Sequence, residues 1–278
     1  MLRIIYKYKS EFFILVFLFS AVSNLFSLPE KQIFPDKSFF IYERDLSSFR
    51  ILPENQNADA PVTWNYLKPV ALDYDNTQKC ASGRFCVEKI QYQKVDISYF
   101  AEDHSLPLKS LAFMKSSGTY FVQAESKKSK VIFRIAVRND DSYTGYLSEL
   151  TGVPFVYWPR FIQGHGHQTD LGLGADCIAV LIYGRRRMGY NIPYFAPGKL
   201  YSFSEKIGDS ISIQNAKIRD GDILHFSFQT AVIYKDLPPI GRLSGNDIIF
   251  HTYHKTAEKL EFSELPYRKM PFDILRWK

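Results

Sequence analysis

Cys177 follows Asp176 where a glycine-rich loop, residues 163–175, gives way to the apolar run Ile178-Ala179-Val180-Leu181-Ile182-Tyr183. A carboxylate directly before such a run serves as a helix N-cap, which puts the cysteine in the first helical turn. There the unpaired backbone N–H groups and the positive end of the dipole favour thiolate over thiol, and such cysteines reach pKa values of roughly 3.5–7.5. A thiolate in that position attacks a carbonyl carbon, provided that a base manages the protons and donors hold the oxyanion. His225, Gln229, His251 and His254 follow on later segments, so one half of the chain carries the residue types for thiol acyl chemistry. His165 and His167 precede the cysteine, with Asp170 and Asp176 nearby. Two imidazoles and a carboxylate can bind zinc. The spacing fits no zinc motif, however, and the flanking glycines point to a loop that shapes a substrate cleft with His165, His167 and Asp176. No metal and no cofactor is expected. Neither Gly164-His165-Gly166 nor Gly172-Leu173-Gly174 has the lysine or the preceding strand of a phosphate-binding loop.

The elements that must position these residues read as follows. Tyr143, Tyr146, Leu147 and Leu150 fall at helical spacing behind Asp141 or Ser142 as cap, and Gly152 and Pro154 end that helix. The helix that begins at Cys177 ends in Arg185-Arg186-Arg187 and Gly189, cations that complement the dipole rather than a nucleic-acid patch. After a loop from Asn191 to about Gly208, the segments 223–226, 229–234 and 247–254 read as strands, with 237–246 as a connecting loop. Before residue 140 the pattern is different. Residues 38–42, 87–100, 119–123 and 130–137 are rich in β-branched and aromatic types separated by turn clusters, the pattern of an immunoglobulin-like β-sandwich.

In this order the segments resemble the NlpC-type papain-like cysteine peptidases of the cell wall. Asp176-Cys177-Ile178-Ala179 resembles their Asp-Cys-Ser-Gly signature, and Gly221-Asp222-Ile223-Leu224-His225-Phe226 resembles their Gly-Asp-Leu-Val-Phe-Phe strand. Gln229-Thr230-Ala231-Val232-Ile233-Tyr234 resembles their His-Val-Gly-Ile-Tyr-Leu strand, and Ile249-Phe250-His251-Thr252 their Ile-His-Ala strand. The resemblance spans roughly residues 164–253. It implies an α+β papain-like domain over 141–278, its Cys-bearing helix packed on an antiparallel sheet, behind an all-β sandwich-like domain over 30–140. It further implies Cys177 as nucleophile and His251 as the third catalytic residue. One position departs: the base histidine falls on Gln229, which takes no proton at neutral pH but can orient a neighbour or support an oxyanion. Three readings follow. The domain only binds; or His251 has become the base with Gln229 orienting it; or His225 (failing that, His254) supplies the base.

The ends and the bulk charge set the compartment. Arg3, Lys7 and Lys9 precede an apolar run from Phe12 to Val22, at whose end Ala21-Val22-Ser23 offers a small-x-small cleavage pattern, so residues 1–27 read as a signal peptide or an uncleaved anchor. An exported, periplasmic, cell-surface or secreted protein is expected, in which Cys80 and Cys86 form a disulfide and Cys177 stays free. The net charge of +6 suits an anionic wall or membrane surface, and no Lys/Arg stripe interleaved with aromatics points to nucleic acid. The expected partner is peptidoglycan or another peptide substrate, with membrane contact only through an uncleaved N-terminal segment. The expected function is an exported thiol hydrolase cleaving amide bonds in wall peptides through a Cys177 acyl-enzyme. The alternatives are an acyltransferase using the same cysteine and an inactive wall- or ligand-binding relative.

Overall fold

The structure is a computed structural model that describes residues 33–52, 62–77, 90–97, 105–111, 113–114, 116–127, 129–211 and 217–278. Residues 1–27 and the Cys80–Cys86 pair lie outside the described residues. The first half holds β1 (Lys37–Tyr42), β2 (Arg50–Ile51), β3 (Thr63–Pro69), β4 (Asp73–Asp75), β5 (Tyr92–Ile97), β6 (Leu106–Pro107), β7 (Gly118–Glu125) and β8 (Lys130–Arg138). The second half begins with α1 (Tyr143–Ser148), β9 (Phe155–Tyr157), β10 (Phe161–Ile162), β11 (Gly166–His167) and α2 (Cys177–Arg187). It ends with α3 (Leu200–Phe203), β12 (Ser204–Asp209), β13 (Ile223–Phe226), β14 (Thr230–Lys235), β15 (Ile248–His251), β16 (Glu258–Glu261) and β17 (Phe272–Trp277). The architecture is mixed α+β, with far more strand than helix.

The described part of the first half is not the expected sandwich. It forms one five-stranded sheet in the order β1-β8-β7-β3-β5, with β1 parallel to β8 and the other pairs antiparallel. The period-2 pattern sends alternate residues to opposite faces. Val122, Ala124, Phe133, Ile135 and Val137 face one core, closed by Ile51 and Leu106 of the short β2–β6 ribbon and by Leu108 and Met114. Phe121 and Ile132 face the other way, onto Val156 and Leu173 of the second half. The face that a second sheet would cover in a sandwich is thus covered by the rest of the chain.

The second half has a six-stranded antiparallel sheet in the order β12-β17-β13-β14-β15-β16. Helix α2 lies on one face, its Ile178, Leu181 and Ile182 packed with Ile223, Val232, Phe250 and Leu275. Two expectations are corrected here. The strand expected over 247–254 stops at His251, because His254 sits at φ 51 and the chain turns there. The loop expected from Asn191 to Gly208 contains α3 and most of β12. The Ser142 hydroxyl caps α1, accepting from the Gly145 N–H at 3.0 Å.

The two halves are joined by buried polar groups. The Glu149 carboxylate is fully buried and receives Arg138 of β8 at 3.1 Å and Arg187 of α2 at 2.9 Å. Arg134 of β8, also buried, donates to the Asp170 carbonyl and to the Tyr183 hydroxyl. Gly172 sits against that guanidinium at φ +70, where a Cβ would come within 2.7 Å of Arg134 Nε. Strands β4 and β9 pair in parallel across the same seam.

Candidate functional site

Helix α2 begins as its sequence requires. The Asp176 carboxylate accepts from the Ala179 N–H at 2.8 Å, which leaves Cys177 in the first turn, half-buried and free. The thiol nevertheless behaves opposite to expectation. Burial pushes it up to about 12, and the Asp176 carboxylate adds to the shift by repelling a thiolate, while Thr230 and the Ile178 amide oppose it. The helix dipole is worth at most about 2 kcal/mol at a helix end, and the cost of placing a charge in this desolvated pocket exceeds it. At neutral pH Cys177 is a thiol. Asp176 obeys the same physics: burial raises its carboxyl to about 6, against three backbone N–H groups that favour the charged form.

The residues near Cys177 come from the start of β14 and from the turn between β16 and β17 that holds Tyr267. Thr230, the first residue of β14, contacts the thiol. Gln229, immediately before it, is 3% exposed, and both ends of its amide are occupied. Its Nε2 donates to the Thr252 carbonyl at 2.7 Å and its Oε1 accepts from the Thr230 N–H at 3.1 Å. Tyr267, which the sequence reading missed, is the hydroxyl whose environment includes both Cys177 and Gln229. Burial and the neighbouring Cys177 hold that phenol far above its usual range. No strand or helix pattern surrounds Tyr267; it lies in a turn 16 residues after His251, and only the fold brings it to the thiol.

His251 reaches this cluster at one remove. It is 3% exposed, and its Nδ1 lies 3.1 Å from the Tyr267 hydroxyl. Its Nε2 lies 3.6 Å from the Glu258 carboxylate and has no hydrogen-bond partner among the described residues. Burial, with Lys255 adding to it, lowers this imidazole to about 4. Tyr267 thus neighbours Cys177 electrostatically and touches His251, whereas a thiol hydrolase needs its base within hydrogen-bond reach of the sulfur.

The other candidates are placed elsewhere. His225 stacks edge-on against Tyr201 and lines a separate groove with Lys206, Asp209 and Asp273. Burial lowers its pKa, and Asp273 opposes the shift. His254 is exposed and bonds Asp73 at 2.8 Å. His165 is exposed and stacks on Phe34. His167 is buried. Its Nδ1 accepts from the Thr169 N–H at 3.3 Å, which leaves Nε2 to donate to the Pro159 carbonyl at 3.1 Å, and its ring stacks on Tyr194 at 3.5 Å. Burial lowers it to about 4, so the ring is neutral with both nitrogens occupied. Among the described residues no group of His, Cys, Asp or Glu side chains is arranged to hold a metal ion.

A groove of about 190 Å³ opens beside the start of α2. Trp158, Pro159, Tyr194, Phe195 and Pro197 form its walls, and Asp176 and His167 supply its polar groups. Of the three residues expected to shape a cleft, His167 and Asp176 line this groove, and His165 stacks on Phe34 outside its walls.

Comparison with known proteins adds little to this geometry. No protein-family model matches the chain, and no curated protein matches it. One solved structure that it resembles is that of an NlpC/P60 family protein from Bacillus cereus, with a TM-score of 0.31 and 14% identity. The match covers 78% of this chain and 63% of that one, so the chain spans less than two thirds of that protein's length.

Proposed function

We propose that the second half is a ligand-binding domain built on a thiol-hydrolase-like frame, with the groove beside α2 holding a peptide segment. The observation that carries this reading is Gln229, which stands where the resemblance would put the base and whose buried amide is fixed between the Thr252 carbonyl and the Thr230 N–H. The raised thiol supports it. Burial and the neighbouring Asp176 carboxylate both favour the protonated thiol at neutral pH. The aromatic and proline walls of the groove suit an extended apolar segment, and the Asp176 carboxyl at its floor supplies an acceptor. In this reading the protein is exported and displays the groove to wall peptides, with the five-stranded sheet as its support.

Alkylation of Cys177 by iodoacetamide against pH, in the native protein and in His251→Ala, tests the reading. We expect slow alkylation up to pH 9 and the same profile in both proteins. Rapid alkylation near pH 6, lost in His251→Ala, would instead establish a histidine-activated thiolate and return the hydrolase reading. Titration of the protein with soluble wall peptides, read by tryptophan emission from Trp158 at the groove, tests binding directly.

A further inference from the structure

The segment Tyr157-Trp158-Pro159-Arg160-Phe161 leads from β9 into the β10–β11 hairpin and carries three exposed aromatic rings. Phe161 is 73% exposed, Tyr157 50% and Trp158 48%. Scattered apolar residues on a surface need no explanation, but three large rings on five consecutive residues form a patch. The backbone beneath them is fixed. Asn76, fully buried, donates to the Trp158 carbonyl at 3.1 Å and to the Gln168 amide oxygen at 2.7 Å. That same Gln168 oxygen accepts from the Arg160 N–H at 2.8 Å, and the Gln168 N–H donates to the Arg160 carbonyl. His167 Nε2 donates to the Pro159 carbonyl. Trp158 itself is held at φ 61, a left-handed conformation that a bulky residue adopts only under constraint from its surroundings. Buried amides thus spend their hydrogen bonds on keeping aromatic rings in solvent.

The position of the N-terminal chain says what meets them. The described chain starts at Ile33, and Phe34 stacks on His165, at the turn of the same hairpin, with ring centroids 3.9 Å apart. Eleven residues, 23–33, separate Phe34 from Val22, the end of the apolar run that begins at Phe12 behind Arg3, Lys7 and Lys9. Even fully extended, that stretch spans roughly 40 Å. If residues 12–22 enter a membrane, the hairpin stays close to its surface. Trp and Tyr side chains favour the headgroup region, where the ring is buried and the polar tip stays wet, and an arginine beside them meets lipid phosphate. Arg160 lies over the Trp158 ring, 5.5 Å from its centroid.

We infer that the segment entering the hairpin, with Tyr157, Trp158 and Phe161, is a membrane-interface contact that seats the protein on a lipid surface. The contact shares Trp158 with the wall of the groove, whereas Tyr157 and Phe161 lie outside that wall and belong to the contact alone.

The protein as its host produces it, with or without residues 1–27, is mixed with vesicles of phosphatidylglycerol and phosphatidylethanolamine in equal parts. The acyl chains are brominated near the headgroup. Trp158 emission is expected to be quenched, and Trp158→Phe to remove the quenchable part, since Trp64 is buried in the first core and Trp277 packs against the core of the second half. Tyr157→Ser with Phe161→Ser leaves the groove walls intact and is expected to weaken vesicle binding or shallow quenching by about tenfold. Circular dichroism and thermal unfolding of the variant, unchanged from the parent, establish that it is folded. Absence of quenching, equal quenching in the double variant, or a folded variant that binds as the parent does would each overturn the inference. Saturable binding of the segment to a protein, with no effect of vesicles, would overturn it in favour of a protein partner.

Discussion

At the residue scale, the site turns on Asp176 and on how one carboxyl acts on two groups. It caps α2, which favours the folded state, and it sits where burial raises its own pKa to about 6 and contributes to raising the Cys177 thiol. A carboxyl whose folded pKa lies above its unfolded value keeps its proton longer in the native state. Its contribution to stability is complete below about pH 4 and is lost as pH rises through about 6. Asparagine caps helices as well as aspartate does and carries no charge. Asp176→Asn is therefore expected to stabilise the protein by about 1–2 kcal/mol above pH 7, after allowance for the solvent that reaches a half-buried carboxylate, and to change nothing near pH 4. Urea unfolding at both pH values measures this. The same variant is expected to lower the Cys177 pKa, visible as faster alkylation at pH 9. An unchanged rate would mean that burial alone sets the thiol. Asp176 and Cys177 were legible in the sequence because capping is local, whereas the sign of the thiol shift was not. Desolvation depends on what the sheet and the Tyr267 loop place over the sulfur, and no spacing in the chain encodes that.

At the element scale, α2 does more than carry Cys177. The sequence gives Arg185-Arg186-Arg187 as the end of a helix, and the three do occupy the last turn. Yet each has its own partner. Arg185 lies over the Tyr190 ring, Arg186 donates to the Ile192 carbonyl, and Arg187 makes two hydrogen bonds to Glu149. Glu149 ends α1, is fully buried, and ties α2 to Arg138 of β8. Removing one partner of a buried ion pair strands the others in the interior. Glu149→Ala is expected to cost about 3–5 kcal/mol. Glu149→Gln, which keeps two hydrogen-bonding atoms, is expected to cost less. Guanidinium unfolding of the three proteins decides it, and equal stability of Glu149→Ala and the parent would mean that the network is neutral. Local pattern revealed α1, α2, β7, β8 and β14, where apolar periodicity is uninterrupted. It did not reveal β17, Phe272–Trp277, whose outward Asp273 and Arg276 break the apolar run, nor β16, whose residues are half-buried or exposed. Those strands exist because the sheet supplies neighbours on which to pair. The missing sandwich has the same cause: the strands of the first half read correctly as strands, but one face of their sheet is covered by the short β2–β6 ribbon and the other by Val156 and Leu173 of the second half.

At the scale of the whole molecule, the two halves share their polar interior, and this has a consequence for acid stability. His167 holds the loop before α2 through Pro159, Thr169 and Tyr194, and His251 lies at the far side of the groove's helix beneath Tyr267. Both are neutral in the native state, and burial lowers each to about 4, against 6.5 in an unfolded chain. A histidine with a depressed folded pKa contributes stability that is present above about pH 6.5 and is lost as pH falls towards 4. Each contributes a slope of about 1.4 kcal/mol per pH unit and up to about 3 kcal/mol over the window. Asp176 acts with the opposite sign between about pH 4 and 6 and, discounted for solvent, offsets less than one histidine, so from these three groups a net slope between one and two histidines remains. Stability is thus expected to fall steadily from pH 6.5 to 4, and His167→Gln or His251→Gln to flatten the fall by one histidine's slope. Because Glu149, Arg134 and the β4–β9 pairing cross the seam, the loss is expected to take both halves together. Emission from a Trp158→Phe/Trp277→Phe protein leaves only Trp64, in the first sheet, as reporter. Alkylation of Cys177 under the same titration reports on α2. Coincident transitions at every pH would make the molecule one cooperative unit, in which acid titration of the loop and of β15 unfolds a distant sheet. A sheet that outlasts Cys177 protection would mean that the buried ion pairs at the seam do not couple the halves.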